Sequence, residues 1–409
     1  VLTHIWFGFF LLAFIASLIQ WLFLGNAEIF SLVISATFDM AKLGADIAIG
    51  LVGVLCLWLG LFKVAEKAGL IDKIAKLLSP LFRCLMPDIP EGHPAIGSVT
   101  MNLGANVLGL DNAATPLGLR AMRDLQAVNP IKDSASNAQI LFLVLNTSSV
   151  TLLPITVFLF RAQQGAEQPA LVFIPILLAT TASTLAGLAL TSFIQKLPIW
   201  NRIVLGYALG FALLLATLIF SLVQMPVEQM SDFSSQLGNF ILFLVIMAFL
   251  GYGYAKKVDV YDQFIKGAKQ GFGVAVRIIP YLVGMLVAIG IFRASGVMDG
   301  LVWMIEQVVL FFGLDTEFVK ALPTALMKPL SGSGSRALML EVMSTYGVDS
   351  FPALLAATIQ GSTETTFYVF AVYFGSVGIK NARHAIACGL FADFVGVVAA
   401  ILIGYWFFG

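Results

Sequence analysis

Residues 349–374 read DSFPALLAATIQGSTETTFYVFAVYF. The stretch can cross a bilayer, which takes about 20 helical residues, and most of it is apolar. Its middle is different: Gln360, Ser362, Thr363, Glu364, Thr365 and Thr366 surround Gly361. A carboxylate at bilayer depth costs about 2.5–3.5 kcal/mol on insertion scales. Such residues persist where they face protein, water or a ligand. Residues 137–160, NAQILFLVLNTSSVTLLPITVFLF, repeat the pattern, with Asn146, Thr147, Ser148, Ser149, Val150 and Thr151 at their centre. Two interrupted spans at matching places in two halves point to a transporter site.

The whole chain agrees with a membrane setting. Of its 409 residues 59% are hydrophobic and 11% charged, where soluble domains carry about 25% charged residues. Mean hydropathy is +0.94. The apolar runs are continuous, which argues for helices over a β-barrel. Net charge is zero, so no nucleic-acid partner is expected. Cys56, Cys84 and Cys388 are too scattered for a disulfide framework or a metal site. His4, His93 and His384 show no metal spacing, and no nucleophile–base pair or phosphate loop is visible. An enzyme and a bound cofactor are therefore not expected. The first apolar run lacks a basic leader and a small-residue cleavage site, and reads as a retained span.

Nine spans are expected, at about 4–25, 45–64, 137–161, 170–194, 201–223, 237–254, 274–293, 350–374 and 383–408. Amphipathic pieces at 28–43 and 256–272 precede the second and seventh, and mixed regions fill 65–134 and 294–349. The halves repeat. Lys42, Gly44, Gly69 and Asp72 align without a gap on Lys269, Gly271, Gly296 and Asp299. Each repeat supplies four crossings, and the unpaired fifth span inverts the second copy. The expected fold is an all-α polytopic membrane protein of inverted repeats. Each repeat has four spans and a re-entrant helical hairpin, with one extra span joining them. The first repeat is 1–196, the linking span 197–228 and the second repeat 229–409.

Charge sets an expected orientation. Loop 65–134 carries Lys67, Lys73, Lys76, Arg83, Arg120, Arg123 and Lys132, which places it in the cytoplasm. The N-terminus is then cytoplasmic and the C-terminus external, in a bacterial cytoplasmic membrane. Lys320, Lys328 and Arg336 run against this rule, so they must be tied into structure or function.

The mixed regions read as the hairpins. In 93–127 two short apolar pieces meet at Gly109-Leu110-Asp111-Asn112, with Asp111 or Asn112 placed to cap the second. In 321–346 they meet at Ser331-Gly332-Ser333-Gly334-Ser335, whose glycines let N–H groups converge at a helix start. Taken singly, SGSGS also reads as an exposed linker and GLDNAATP as a capped turn. Irregular backbone at membrane depth must be covered by protein or a water-filled cavity.

At these residues the chain resembles a known family. NLGANVLGLDNAATPLGLRAM resembles the signature of spore maturation protein A, over about 1–196. GSGSRALMLEVMSTYG and IQGSTETTFYVFAVYFGSVGI resemble spore maturation protein B, over about 200–409. Both are similar to nucleoside-recognition, or "Gate", proteins, which include concentrative nucleoside transporters and the membrane part of ferrous-iron transport protein B. The resemblance implies a transporter-like fold, elevator movement and a homo-oligomer. It supplies no substrate and no sporulation role for this chain.

The candidate solute-binding residues follow. Asn102, Asn106, Asp111, Asn112 and Thr115 line the first hairpin, and Asn146, Thr147, Ser148 and Ser149 the first break. Ser331, Ser333, Ser335 and Arg336 belong to the second hairpin, and Gln360, Ser362, Thr363, Glu364 and Thr365 to the second break. Glu364 is the sharpest: it could hold Na+, H+ or a cationic solute group, or instead cap a half-helix or pair with Arg336. The break hydroxyls could equally bond helix to helix. Arg336 could meet an anionic solute or pair with Glu341 or Glu364. Asp393 could pair with His384 or Arg383, or join a proton path. The expected function is secondary transport of a small polar or charged solute, coupled to Na+ or H+, with two hairpins and two broken spans around the site. The alternatives are a non-transporting regulatory or assembly component, and a channel or lipid translocator.

Overall fold

The computed structural model describes residues 2–107, 111–148 and 151–409, without the side chains of 2, 111–113, 227 and 228. Among the described residues the chain is helical, with one β-bridge between Ser134 and Asn381. The first half holds α1 (Leu2–Phe23), α2 (Ile29–Gly50), α3 (Val52–Lys67), α4 (Leu70–Leu85), α5 (Pro94–Val107), α6 (Asp111–Val128), α7 (Asn137–Ser148), α8 (Ile155–Gln163) and α9 (Phe173–Gln195). After it come α10 (Arg202–Val223), α11 (Val227–Ala255), α12 (Val260–Ala294), α13 (Val297–Phe311), α14 (Leu322–Met327), α15 (Gly332–Tyr346), α16 (Phe351–Ser362), α17 (Thr366–Ser376) and α18 (Ala385–Phe408).

Among the described residues, seven helical stretches are long and apolar enough to cross a membrane, and each contains or overlaps one of the expected unbroken spans. The chain is a polytopic membrane protein. Its helices start and stop for local reasons. The Asn201 side chain accepts from the N–H of Ile203 at the head of α10. Left-handed Lys196 ends α9, two residues before Pro198. Gly69 and Gly296, aligned in the sequence repeat, both take positive φ (78° and 74°) just before α4 and α13.

One expectation needs correcting. The amphipathic pieces are not separate elements: residues 260–272 run into the next span as the 35-residue α12, and α2 and α3 form one 39-residue stretch. Nothing in these segments stops the helical ladder. The glycines inside them serve packing instead. A Cβ on Gly271 would lie 2.7 Å from Cα of Cys56, and one on Gly44 would lie 3.1 Å from Cα of Val283. Small residues at such crossings let membrane helices approach closely. The offset that takes Gly44 to Gly271 also takes Cys56 to Val283, so the two crossings are counterparts in the sequence repeat.

The chain forms two compact units. One holds residues up to Gly60, Thr156–Pro169 and Ile265–Gln360, and the other Leu61–Ile155, Ala170–Phe264 and Gly361–Gly409. Each unit thus has one helical pair (α14 with α15, or α5 with α6) and one half of each interrupted span. In the second unit α18 packs along α9 and α7, and α17 joins α6 and α7. In the first, α14 packs on α15.

Both interruptions are real breaks. In the first span the described residues 151–154 are not helical, and the helix resumes at Ile155, directly after Pro154. Proline lacks the N–H and restricts the residue before it. The second span stops at Ser362 and resumes at Thr366 without a proline. Its cause lies in the site.

Candidate functional site

In a continuous helix the N–H of Glu364 would donate to the carbonyl of Gln360, four residues back. In the second unit that N–H donates to the carbonyl of Thr147 instead (2.7 Å). In the first unit the Gln360 carbonyl accepts from the ammonium of Lys328 (2.8 Å), whose side chain is buried. Both partners of the missing helical bond are satisfied elsewhere, so the break leaves neither group orphaned.

The second unit gathers three asparagines at the first break. Asn146 donates its amide N–H to the Phe142 carbonyl (2.8 Å). That turns Oδ1 of Asn146 towards α5, where Asn106 donates to it (2.8 Å). The same amide of Asn106 reaches Oδ1 of Asn102 (3.5 Å), and Asn102 donates to the Ala114 carbonyl across the hairpin (2.7 Å). The hydroxyl of Tyr373 and the amide of Asn102 both lie against Gly118 of α6. Glu364 is half-buried, and its carboxylate makes no hydrogen bond or ion pair with another described residue. Asn102 and Asn146 are buried, while Asn106 and Thr115 are half-buried.

Other candidates turn inward. The hydroxyls of Thr147 and Ser148 both bond the Val144 carbonyl of their own helix. The Ser148 carbonyl accepts from Thr180 and Thr184 of α9 (3.2 and 3.1 Å). Thr363 is 3% exposed, and its hydroxyl has no partner among the described residues. Ser362 and Thr365 are buried, the latter at the head of α17. Thr366 donates to Asp393 (2.6 Å), a buried carboxylate inside α18. The expected partners of Asp393 are engaged elsewhere. His384 lies 3.0 Å from the Gln195 amide, and Arg383 donates to the Ala135 carbonyl (2.9 Å). Asp111 begins α6, but its side chain and that of Asn112, with Ser149 and Val150, lie outside the described residues.

In the first unit Ser331-Gly332-Ser333-Gly334-Ser335 is a capped helix start and not an exposed linker. Ser331 Oγ accepts from the N–H of Gly334 (3.0 Å). Ser335 donates to the Thr324 carbonyl across the hairpin (2.8 Å) and lies 2.7 Å from the side-chain amide of Gln360. Gln360 sits in α16 where Asn146 sits in α7, two residues before the last helical residue. Each unit therefore joins its hairpin to the same point of its interrupted span. Ser333 borders a cavity of about 260 Å³ with Trp6, Pro280, Tyr281 and Met285.

The three misplaced cations are all engaged. Lys320 bonds Glu317 (2.6 Å), Lys328 the Gln360 carbonyl, and Arg336 lies over the Phe160 ring, 5.4 Å from its centre. Glu341, one expected partner of Arg336, bonds Arg293 (3.0 Å). Three residues escaped the candidate set. Lys328 was marked only by its sign, and Tyr373 was hidden in an apolar run. Arg161, fully buried, donates to the carbonyls of Val348, Gln168 and Pro169 and to Asp349 (2.8 Å).

Comparison with known proteins gives the family. The sequence profile described as nucleoside recognition (Gate) matches residues 48–163 and 275–380. Spore maturation protein B of Bacillus subtilis (strain 168) is 45% identical over 166 residues, covering 41% of this chain and 92% of that protein. Spore maturation protein A of the same organism is 41% identical over 158 residues, covering 39% of this chain and 81% of that protein. No solved structure matches. The chain belongs to the nucleoside-recognition, or Gate, family of membrane proteins, and carries parts similar to both spore maturation proteins in one polypeptide.

Proposed function

We propose that this protein is a secondary transporter of a small polar or charged solute, coupled to Na+ or H+. It works as two inverted repeats, 1–196 and 229–409, joined by the span at 197–228, with elevator-type alternating access. It acts as a homo-oligomer in the bacterial cytoplasmic membrane, with its N-terminus inside and its C-terminus outside.

One observation carries this reading. In each unit a polar side chain of the hairpin, Asn106 or Ser335, meets the corresponding residue of the interrupted span, Asn146 or Gln360. Polar groups held open at breaks in apolar helices are how transporters build sites inside a bilayer. The paired crossings Gly44–Val283 and Gly271–Cys56 support the inverted repeat, because a contact and its counterpart both exist.

The test is uptake of a metabolite mixture by proteoliposomes, read by mass spectrometry against protein-free vesicles. The reading predicts at least one solute enriched by wild type and lost with Glu364→Gln. No enrichment, together with full physiological activity of Glu364→Gln, overturns it. The relatives are named for spore maturation, which favours a second reading: a regulatory or assembly component that retains the fold. That reading predicts that apolar replacements at Asn146 and Gln360 leave physiology intact.

A further inference from the structure

Resting on the transport reading, we infer that the ammonium of Lys328 is a built-in cation in the ion position of the second break, and that the coupling ion is H+, carried by Lys328, rather than Na+. In broken membrane helices the carbonyls at a half-helix C-terminus are where Na+ or H+ is held. The Gln360 carbonyl is in the last turn of α16 (Phe351–Ser362), and it accepts from the Lys328 ammonium (2.8 Å). Lys328 is only 4% exposed. The second unit makes the corresponding contact without charge. Cross-hairpin bonds join Asn102 to Ala114 and Ser335 to Thr324. Asn106 stands four residues after Asn102, and Lys328 four after Thr324. Asn106 donates to Asn146 where Lys328 donates to Gln360, so a neutral amide in one unit answers to an ammonium in the other.

A carbonyl that already holds an ammonium has no place for a metal cation, because the two like charges repel. The ammonium in turn depends on its acceptor. A buried charge without hydrogen-bond partners is costly, and the group neutralises instead. When hairpin and span part to admit a solute, Lys328 loses the Gln360 carbonyl. One N–H bond of the ammonium then breaks, the electron pair stays on Nζ, and the proton passes to a water oxygen. Return of a proton restores the ammonium as the hairpin closes. The other titratable groups on the elements around it are committed elsewhere. Helix α16 has none. On α15, Glu341 bonds Arg293 (3.0 Å), Arg336 lies over the Phe160 ring, and Tyr346 lies under the Arg293 guanidinium. Before α14, Glu317 bonds Lys320 (2.6 Å). Helix α12 reaches the hairpin at Gly334 through Met285, and its titratable residues other than Arg293 are exposed.

The test has two arms on the full-length protein. In the first, phosphatidylcholine–phosphatidylglycerol proteoliposomes receive a metabolite mixture, read by mass spectrometry. A gradient of about one pH unit is imposed in either direction, or a Na+ gradient at equal pH. One coupled proton gives about tenfold accumulation, expected from the pH gradient and not from Na+. Lys328→Arg, whose guanidinium keeps its proton, and Lys328→Gln, a neutral donor like Asn106, should equilibrate the solute without accumulating it. In the second arm, melting in detergent compares sodium chloride with N-methylglucamine chloride. Wild type should not distinguish them. Lys328→Ala, which opens the Gln360 carbonyl one turn from the buried Thr324 hydroxyl, should be stabilised by Na+. Na+-driven accumulation, Na+ stabilisation of wild type, undiminished pH-driven accumulation in either variant, or indifference of Lys328→Ala to Na+ overturns the inference. The two readings fail separately. Na+-driven uptake removes the proton assignment and leaves transport. Movement of no solute under any gradient removes transport, while melting still reads whether Lys328 fills a cation position.

Discussion

The ammonium of Lys328 occupies the carbonyl of Gln360 that a continuous helix would have given to Glu364. A buried cation on one hairpin therefore stabilises the open state of an interrupted span. Lys328→Met removes the donor and leaves a buried acceptor. We expect a loss of about 1.5–3 kcal/mol, the range for hydrogen bonds to charged groups. Chemical denaturation in detergent reads it, and uptake should fall with it. Unchanged stability would mean that the break is set by its own sequence alone.

Gly271 is fixed by packing. Gly271→Ala forces a Cβ into the backbone of Cys56 at 2.7 Å and should cost about 1–3 kcal/mol. Gly44→Ala, at 3.1 Å, should cost less. Gly273, on the same helix with nothing within 4 Å, is the control, and its alanine variant should melt at or above wild type. Melting curves of the three variants decide the order.

Arg161 is a fully buried guanidinium with three carbonyls and one half-exposed carboxylate around it. Arg161→Lys keeps the charge and loses the planar fork, at a cost of about 2 kcal/mol. Asp349→Asn should cost less, because the carbonyl bonds survive. Equal losses in the two variants would show that the ion pair, rather than the fork, holds the loop.

His384 gives a pH dependence. It stands just before α18, and burial, with Arg383 next to it, pushes its imidazole below the usual value near 6.5. The folded protein therefore favours the neutral ring. Its contribution is fully present above about pH 6.5 and is lost as pH falls towards the lowered folded value, because the unfolded chain binds the proton first. His384→Gln should flatten melting temperature against pH in that acid window. An unchanged slope would assign it to other groups.

The membrane architecture was legible because apolar run length and the bilayer set it. The breaks were legible because Glu364 and its polar neighbours violate a strong rule. SGSGS taken singly also reads as a linker; it was legible as a helix start because it stands before an apolar helix, at the point that matches the other hairpin. The partner of Lys328 was not legible, because it is a backbone carbonyl and any sequence has one. Tyr373 was hidden because an apolar helix uses tyrosine for packing as readily as for its hydroxyl. The division into two compact units was hidden too, since each interrupted span sends its halves to different units. The continuity of α12 was missed because amphipathic and apolar helical stretches share one hydrogen-bond ladder.

The central claim is that the polar cluster at the first break holds a solute. An experimental density map of the protein in lipid nanodiscs, at a resolution that shows bound small molecules, tests it most directly. The account predicts non-protein density within hydrogen-bond distance of Asn106 Oδ1 or the Glu364 carboxylate, absent in Glu364→Gln. A cluster filled by the protein's own side chains, with Glu364 paired to a basic residue, would contradict it.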